Sequence, residues 1–466
     1  MNRKFLIVAV LFTVVFTCFA FAKNEIKVGY IDGMISVDSR IANYVFDASR
    51  GELEEVKLTM EQTQLVYRND GDGLRTTLDS TPVYPSSIAI NGKSLEQYNE
   101  DPVEIEGDVS LVFDYGVFEK EVKIIYGPLY EIDVSVSGNI PNNLEIIVPR
   151  VGFAAEDRTN EFGKVFTNYY EETKAISIWA IKNSEGANFK VGRDKNANTI
   201  EVPYNGLNLH GYMGEAKKNT FIKKAFPDNY VWLSRTINSY PKATSWYDPI
   251  FYLFVGLIDW LFKVTGSYGW AIILFTLIIR LIIYPLFHIQ TKSMIERKKL
   301  EDDPEFKKLN QIKDKQKKQQ ELMKFYKRKK VNPAGGCLPL LVQMPVFILL
   351  YAVIRYQSEL FAYGPQFFIW EDLSVGGFAQ NIILVLISAV MGFLNSLITS
   401  SQPKMAMQGA LMATFFPFIL IMLPTGLQLY WVTSTIFQFV VTYYVYKKND
   451  IHGISIKEFF ASLKKK

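Results

Sequence analysis

Cysteine and histidine are nearly absent from this chain: two of the former and three of the latter among 466 residues. Cys18 and Cys337 both fall inside apolar runs, and residues 23–249 hold no cysteine, so no disulfide framework staples that region. His210 is its only histidine, and no cluster with metal-ligand spacing accompanies it, which leaves metal chemistry there without support. No GxxxxGK[ST] loop occurs, so nothing points to a bound nucleotide as a source of work. Internal repeats are missing as well. Acid is missing where it would matter most: the apolar runs Phe5–Ala22, Cys337–Ile354, Phe378–Leu397, Leu411–Leu423 and Leu427–Val445 contain neither Asp nor Glu.

Against that background Arg280 stands out, the one charge deep inside the apolar run Trp270–Phe287. An arginine at bilayer depth costs about 2.5–3.5 kcal/mol on insertion scales. With no carboxylate in the other runs, the offset must come from water, carbonyls, hydroxyls and amides, or from something that arrives from outside. Intramembrane ionisable groups of this kind mark function.

Charge is segregated along the chain. Residues 23–249 hold 24 Lys/Arg against 34 Asp/Glu, residues 289–334 hold 15 against 7, and the tail after Tyr446 carries six Lys and two acids. The basic blocks adjoin apolar runs, which marks them as cytoplasmic. Six spans follow, with both termini inside and the acidic region extracytoplasmic. The fifth run is short and interrupted by Pro417. Phe5–Ala22 reads either as an uncleaved anchor or, because Ala20-Phe21-Ala22 resembles a processing site, as a removable signal.

Residues 26–240 read as β-rich. Runs such as Glu25–Tyr30, Val109–Phe113, Lys120–Tyr126 and Ile176–Ile181 alternate or are β-branched, and Gly/Pro/Asn turn signals separate them. Many short strands predict a sandwich. Residues 245–265 form an amphipathic, aromatic-rich segment suited to lying on the membrane surface. Residues 290–331 have helical composition with a polar break near Asn310–Asp314, a charged hairpin that either sets topology or contacts lipid headgroups, ribosomal RNA or emerging chains.

Three stretches carry a family resemblance: GSYGWAIILFTLIIRLIIYPL (266–286), NPAGGCLPLLVQMPVFILLY (332–351) and FPFILIMLPTGLQLYWVTSTIFQ (416–438). Together they resemble the YidC/Oxa/Alb membrane protein insertases. The implied layout is an anchor (1–22), an outer β-super-sandwich (23–244), an interfacial helix (245–265), the span bearing the arginine (266–289), a cytoplasmic hairpin (290–331), four further spans (332–446) and a basic tail (447–466). The fold class is thus a polytopic α-helical membrane protein, five spans forming the insertase core, with an extracytoplasmic all-β domain. The resemblance implies a hydrophilic groove open to the cytoplasm and lipid, with its arginine at Arg280 and substrate contact at Tyr430 and Trp431.

Helical spacing places Thr276 on the face of Arg280. Further polar candidates for the groove are Gln343, Ser388, Asn395, Ser396, Thr399, Thr433, Ser434, Gln438 and Thr442. Ser and Thr in spans also bond their own backbone, so each competes with that simpler role. The implied partners are nascent membrane proteins and lipid, the Sec translocon, the ribosome and the signal recognition particle receptor, with no cofactor, enzymatic step or small-molecule substrate. A secondary transporter or channel is the main rival, but such folds carry repeats and midplane carboxylates that this sequence lacks. A glycan-binding or enzymatic outer domain on an incidental anchor leaves the other five spans unexplained.

Overall fold

The structure, a computed structural model, describes residues 25–59, 63–66, 73–99, 101–152, 156–190, 198–240, 246–285, 295–296, 300, 303–312, 314–329, 338–400 and 403–464. The anchor expected over residues 1–22 and the NPAGG segment lie outside them. The chain divides into two compact units that meet in sequence at Asp248 and Pro249.

The first unit is built from three antiparallel sheets of six, nine and five strands. The expected runs are strands here, among them Glu25–Ile31, Val109–Asp114, Phe118–Ile124, Glu131–Gly138 and Ala175–Ile181. Others carry weaker signals. Leu207–Glu215 contains two glycines and a histidine, yet it pairs on both sides, with Glu131–Gly138 and Ala175–Ile181. Tertiary pairing overrides its poor strand propensity. Two short helices, α1 (Asn219–Ala225) and α2 (Tyr230–Ser239), follow that strand. His210 is buried between two acids, its Nδ1 2.5 Å from Asp133 and its Nε2 3.4 Å from Glu131. Burial opposes its charge, but the two carboxylates outweigh that and raise its pKa.

Alternation along Phe118–Ile124 turns Phe118, Lys120, Val122 and Ile124 inward. Lys120 is therefore fully buried. Its Nζ donates to the Gly51 carbonyl at 2.6 Å and to Thr76 Oγ1 at 2.8 Å, and it lies over the Phe113 ring. Gly51 turns the chain between two strands of the six-stranded sheet, and Thr76 belongs to the five-stranded one. One ammonium from the nine-stranded sheet thus ties all three together.

The second unit is helical. After α3 (Asp248–Thr265) and α4 (Tyr268–Ile282) come the short pair α5 (Pro304–Asn310) and α6 (Lys315–Arg328). There follow α7 (Leu338–Tyr356), α8 (Ser358–Ala362), α9 (Phe378–Thr399) and α10 (Pro403–Ile419). A 3-10 turn at Leu420–Met422, α11 (Thr425–Lys448) and α12 (Ile456–Lys464) complete it. Among the described residues α9 alone is long and apolar enough to cross a membrane by length and composition; Tyr268–Ile282, Gln343–Tyr356 and Ala406–Met422 are shorter apolar helices. Large apolar side chains of α9, α10 and α11 face outward, including Leu386, Val390, Phe415, Phe418 and Val440. So broad an apolar exterior suits lipid better than water.

The charged hairpin has a small core that its few apolar residues did not suggest. Phe306, Phe325 and Tyr326 are buried together, with Leu300, Leu309 and Leu322 against them. Asp303 and Asp314 cap α5 and α6 through the amides of Glu305 and Gln316, each cap worth about 1 kcal/mol. The tail is also more than a charge run: Phe459 of α12 packs against Leu397 and Ala406.

Burial pushes the Lys120 pKa down to about 7, partly offset by Glu52. The unfolded chain keeps that proton to about pH 10.4. Between those values unfolding takes up a proton, so stability rises with pH there, and below about 7 the burial penalty is present in full. Wild type should therefore gain thermal stability relative to Lys120→Met as pH rises from neutral to 9–10, a window that runs from the folded to the roughly pH 10.4 unfolded value. Parallel pH curves for the two proteins would contradict this.

Candidate functional site

Most of α4 is apolar, and its register decides what becomes of the one charge. Arg280 is only 7% exposed, whereas the next two residues, Leu281 and Ile282, are 62% and 68% exposed. The helix turns its cation inward and its aliphatic side chains outward, the reverse of a soluble amphipathic helix. Thr276, one turn earlier, is fully buried on the same side, but its hydroxyl donates to the Ile272 carbonyl at 2.6 Å. That is the backbone-bonded role open to any spanning threonine.

Arg280 meets α11. It interacts electrostatically with Tyr430, which is 1% exposed and accepts a short hydrogen bond from Gln343 Nε2 of α7. Three side chains from three helices thus converge: a cation, a phenol and a carboxamide. Ser434, one turn beyond Tyr430, is also buried on that side. Gly426 shows how α4 and α7 reach α11: a Cβ there would stand 2.8 Å from Ile272 and 3.3 Å from Ile354. With Ile272 beside Gly426, the parallel rise of about 1.5 Å per residue brings Arg280 level with Ser434.

The other candidates separate. Trp431 points away from its neighbour Tyr430, tilted against Phe416 at 4.7 Å and edge-on to Phe347 at 5.9 Å. Gln438 donates to Thr442 Oγ1 at 3.1 Å within α11. These two lie about 12 and 18 Å beyond Tyr430 along the axis, by helical rise. Ser396 of α9 donates to the Ala406 carbonyl of α10 at 2.7 Å, which places it between those helices. Asn395 is half-buried beside it, and Thr399 bonds the Asn395 carbonyl at 2.9 Å. The polar residues expected in one groove therefore form an inner cluster around Arg280 and a second set nearer the basic end of α11. Arg280 is also more enclosed than the wall of an open channel.

Sequence reasoning passed over three buried polar groups. Asn381 of α9 is fully buried, Gln428 of α11 is 2% exposed, and Gln357 donates to Asp259 of α3 at 2.7 Å. Asn381 was legible: with Ser388 and Asn395 it makes a seven-residue polar repeat in an apolar helix. Among the described residues no three His, Cys, Asp or Glu side chains could together hold a metal.

The 60Kd inner membrane protein family matches residues 260–452. A membrane protein insertase YidC of Thermotoga maritima is 36% identical over 463 residues, covering 98% of this chain and 99% of that protein. One of Wolinella succinogenes is 31% identical over 280 residues, 58% of this chain and 49% of that protein. Among solved structures, an active YidC insertase with its first transmembrane domain resolved superposes with a TM-score of 0.75 at 34% identity, covering 95% of this chain and 99% of that one. The crystal structure of Thermotoga maritima YidC gives 0.63 at 29% identity, covering 90% and 99%. Agreement of this extent, over the helical unit and the β-sandwich alike, places the chain in the YidC family of inner-membrane proteins.

Proposed function

We propose that this chain is a membrane protein insertase that lowers the cost of moving the polar flank of a hydrophobic nascent segment across the bilayer. The convergence of Arg280, Tyr430 and Gln343 inside an apolar bundle carries the reading. The charge segregation supports six spans, with both termini and the hairpin cytoplasmic and the β domain outside. On that arrangement Arg280 lies at the inner end of α4, within reach of the cytoplasmic side.

The physical sequence is as follows. A substrate's short polar segment enters from the cytoplasm and exchanges water for the polar side chains around Arg280. Acidic groups in the segment gain most, since the guanidinium offers them a charged donor. The substrate's apolar helix then leaves sideways past the aliphatic face of α4 and α9. Burying roughly 20 apolar residues yields tens of kcal/mol at about 25 cal/mol per Å², so partition alone supplies the drive. The same reading takes nascent membrane proteins and lipid as direct partners, and the Sec translocon, the ribosome and the signal recognition particle receptor as associated ones.

Arg280→Ala should lose most insertion of a dependent substrate in reconstituted vesicles, and Arg280→Lys should keep part of it, because a point charge replaces a planar fork. Full insertion by Arg280→Ala would reject the reading. Tyr430→Phe removes the acceptor of the Gln343 amide and leaves that buried donor unsatisfied, at about 1–3 kcal/mol. It should slow insertion severalfold, most for substrates with an acidic polar segment. Equal slowing for acidic and basic segments would assign Tyr430 to packing only.

A further inference from the structure

The backbone breaks between α10 and α11, and the break is closed by side chains from elsewhere. Pro417 lies inside α10, the helix stops at Ile419, and one 3-10 turn leads to Leu423-Pro424. Carbonyls freed at such a break find no water in hydrocarbon and need internal donors. Two buried carboxamides supply them. Asn381 Nδ2 donates to the carbonyls of Ile421 at 2.7 Å and Leu423 at 2.8 Å. Gln428 Nε2 donates to Leu420 at 2.6 Å and Pro417 at 3.3 Å.

The segment before α9 joins the same knot. Gly376 bridges Pro424, and a Cβ on Gly376 would stand 2.3 Å from the Leu423 carbonyl oxygen, so only glycine admits this approach. The amides of Thr425 and Gly426 donate to Val375 at 2.9 Å and Leu373 at 2.7 Å. The turn is thereby fixed to α9 on one side and to the start of α11 on the other. Tyr430 sits little more than one helical turn past Gly426.

We propose that Asn381 and Gln428 are positioning residues that clasp the Leu420–Pro424 turn as a seal over the end of the bundle from which α9 and α11 start. This rests on the insertase reading, in which that end faces outward and the polar cluster around Arg280 opens inward. An insertase must pass polar segments without passing ions, and a wet pocket reaching partway through the bilayer needs a dry stop. The clasp holds the stop with neutral donors, so no charge is drawn into it. Loss of Asn381 takes the side-chain donor from Leu423 and leaves Ile421 only the Gly377 amide, and loss of Gln428 takes it from Pro417 and leaves Leu420 only the Leu423 amide. The carbonyls left short then recruit water to the turn.

The test uses the full chain in proteoliposomes carrying a trapped pH-sensitive dye. Asn381→Leu, Asn381→Val, Gln428→Met and Gln428→Leu each abolish the donor while keeping similar size. Thr414→Val on the outer face of α10 is the control. Expected is a severalfold faster proton leak in all four clasp variants and none in wild type or the control. Insertion per folded molecule should fall in the same four. Folded variants that neither leak nor lose insertion overturn the clasp. Failure of wild type itself to insert overturns the insertase reading instead. Hydrogen exchange on wild type guards against variants that fail to accumulate: the Leu423, Thr425 and Gly426 amides should be among the slowest in the helical unit. Exchange there as fast as in α12 would also overturn the proposal.

Discussion

Everything in the helical unit is arranged around the cost of holding one guanidinium among apolar helices. Arg280 sits on a helix whose outward face is aliphatic, so it cannot reach an aqueous surface by a small rotation without turning Leu281 and Ile282 inward. Tyr430 and Gln343 answer from α11 and α7, and the close approach at Gly426 holds the three helices near enough for them to do so. Tyr430, a neutral phenol held by the Gln343 amide, faces the cation without cancelling its charge. That keeps the charge available to a visitor, which a buried carboxylate would not.

The same accounting governs the backbone. Where α10 breaks, its carbonyls are met by Asn381 and Gln428, and where the chain turns before α9, backbone amides do the work. The β domain solves a comparable problem with Lys120, whose single ammonium satisfies partners in two other sheets. In each case a long polar side chain reaches across elements to a group that secondary structure leaves over. Such contacts specify one arrangement of elements more sharply than apolar packing does.

Much of this was legible in the sequence because it follows from local pattern. Arg280 announces itself by being the one charge in its run, and the strands from Glu25 to Ile181 by alternation. The polar break at Asn310–Asp314 falls where α5 ends and α6 begins. What pattern could not show is which side chain faces which. Ser396 bonds Ala406 between α9 and α10, while Thr276 bonds its own helix, partners that spacing alone does not give. Tyr430 and Trp431, adjacent in sequence, serve different neighbours because successive helical residues point about 100° apart. Alternation puts Lys120 on the same face as Phe118, Val122 and Ile124, but its partners Gly51 and Thr76 come from two other sheets and follow only from how the three pack. The hairpin's core was hidden for a simpler reason: three aromatic residues suffice once two short helices are antiparallel.

The central claim is that a translocating polar segment meets the polar cluster around Arg280 from within. Site-specific photocrosslinking to a stalled, dependent nascent chain tests it most directly, with probes at Ser434, which is buried level with Arg280, and at Val440, which faces outward on the same helix. The account predicts adducts between the probe at 434 and the polar flank of the substrate, lost when Arg280 is replaced by Ala. Adducts from 440 alone, with none from 434 at any chain length, would contradict it.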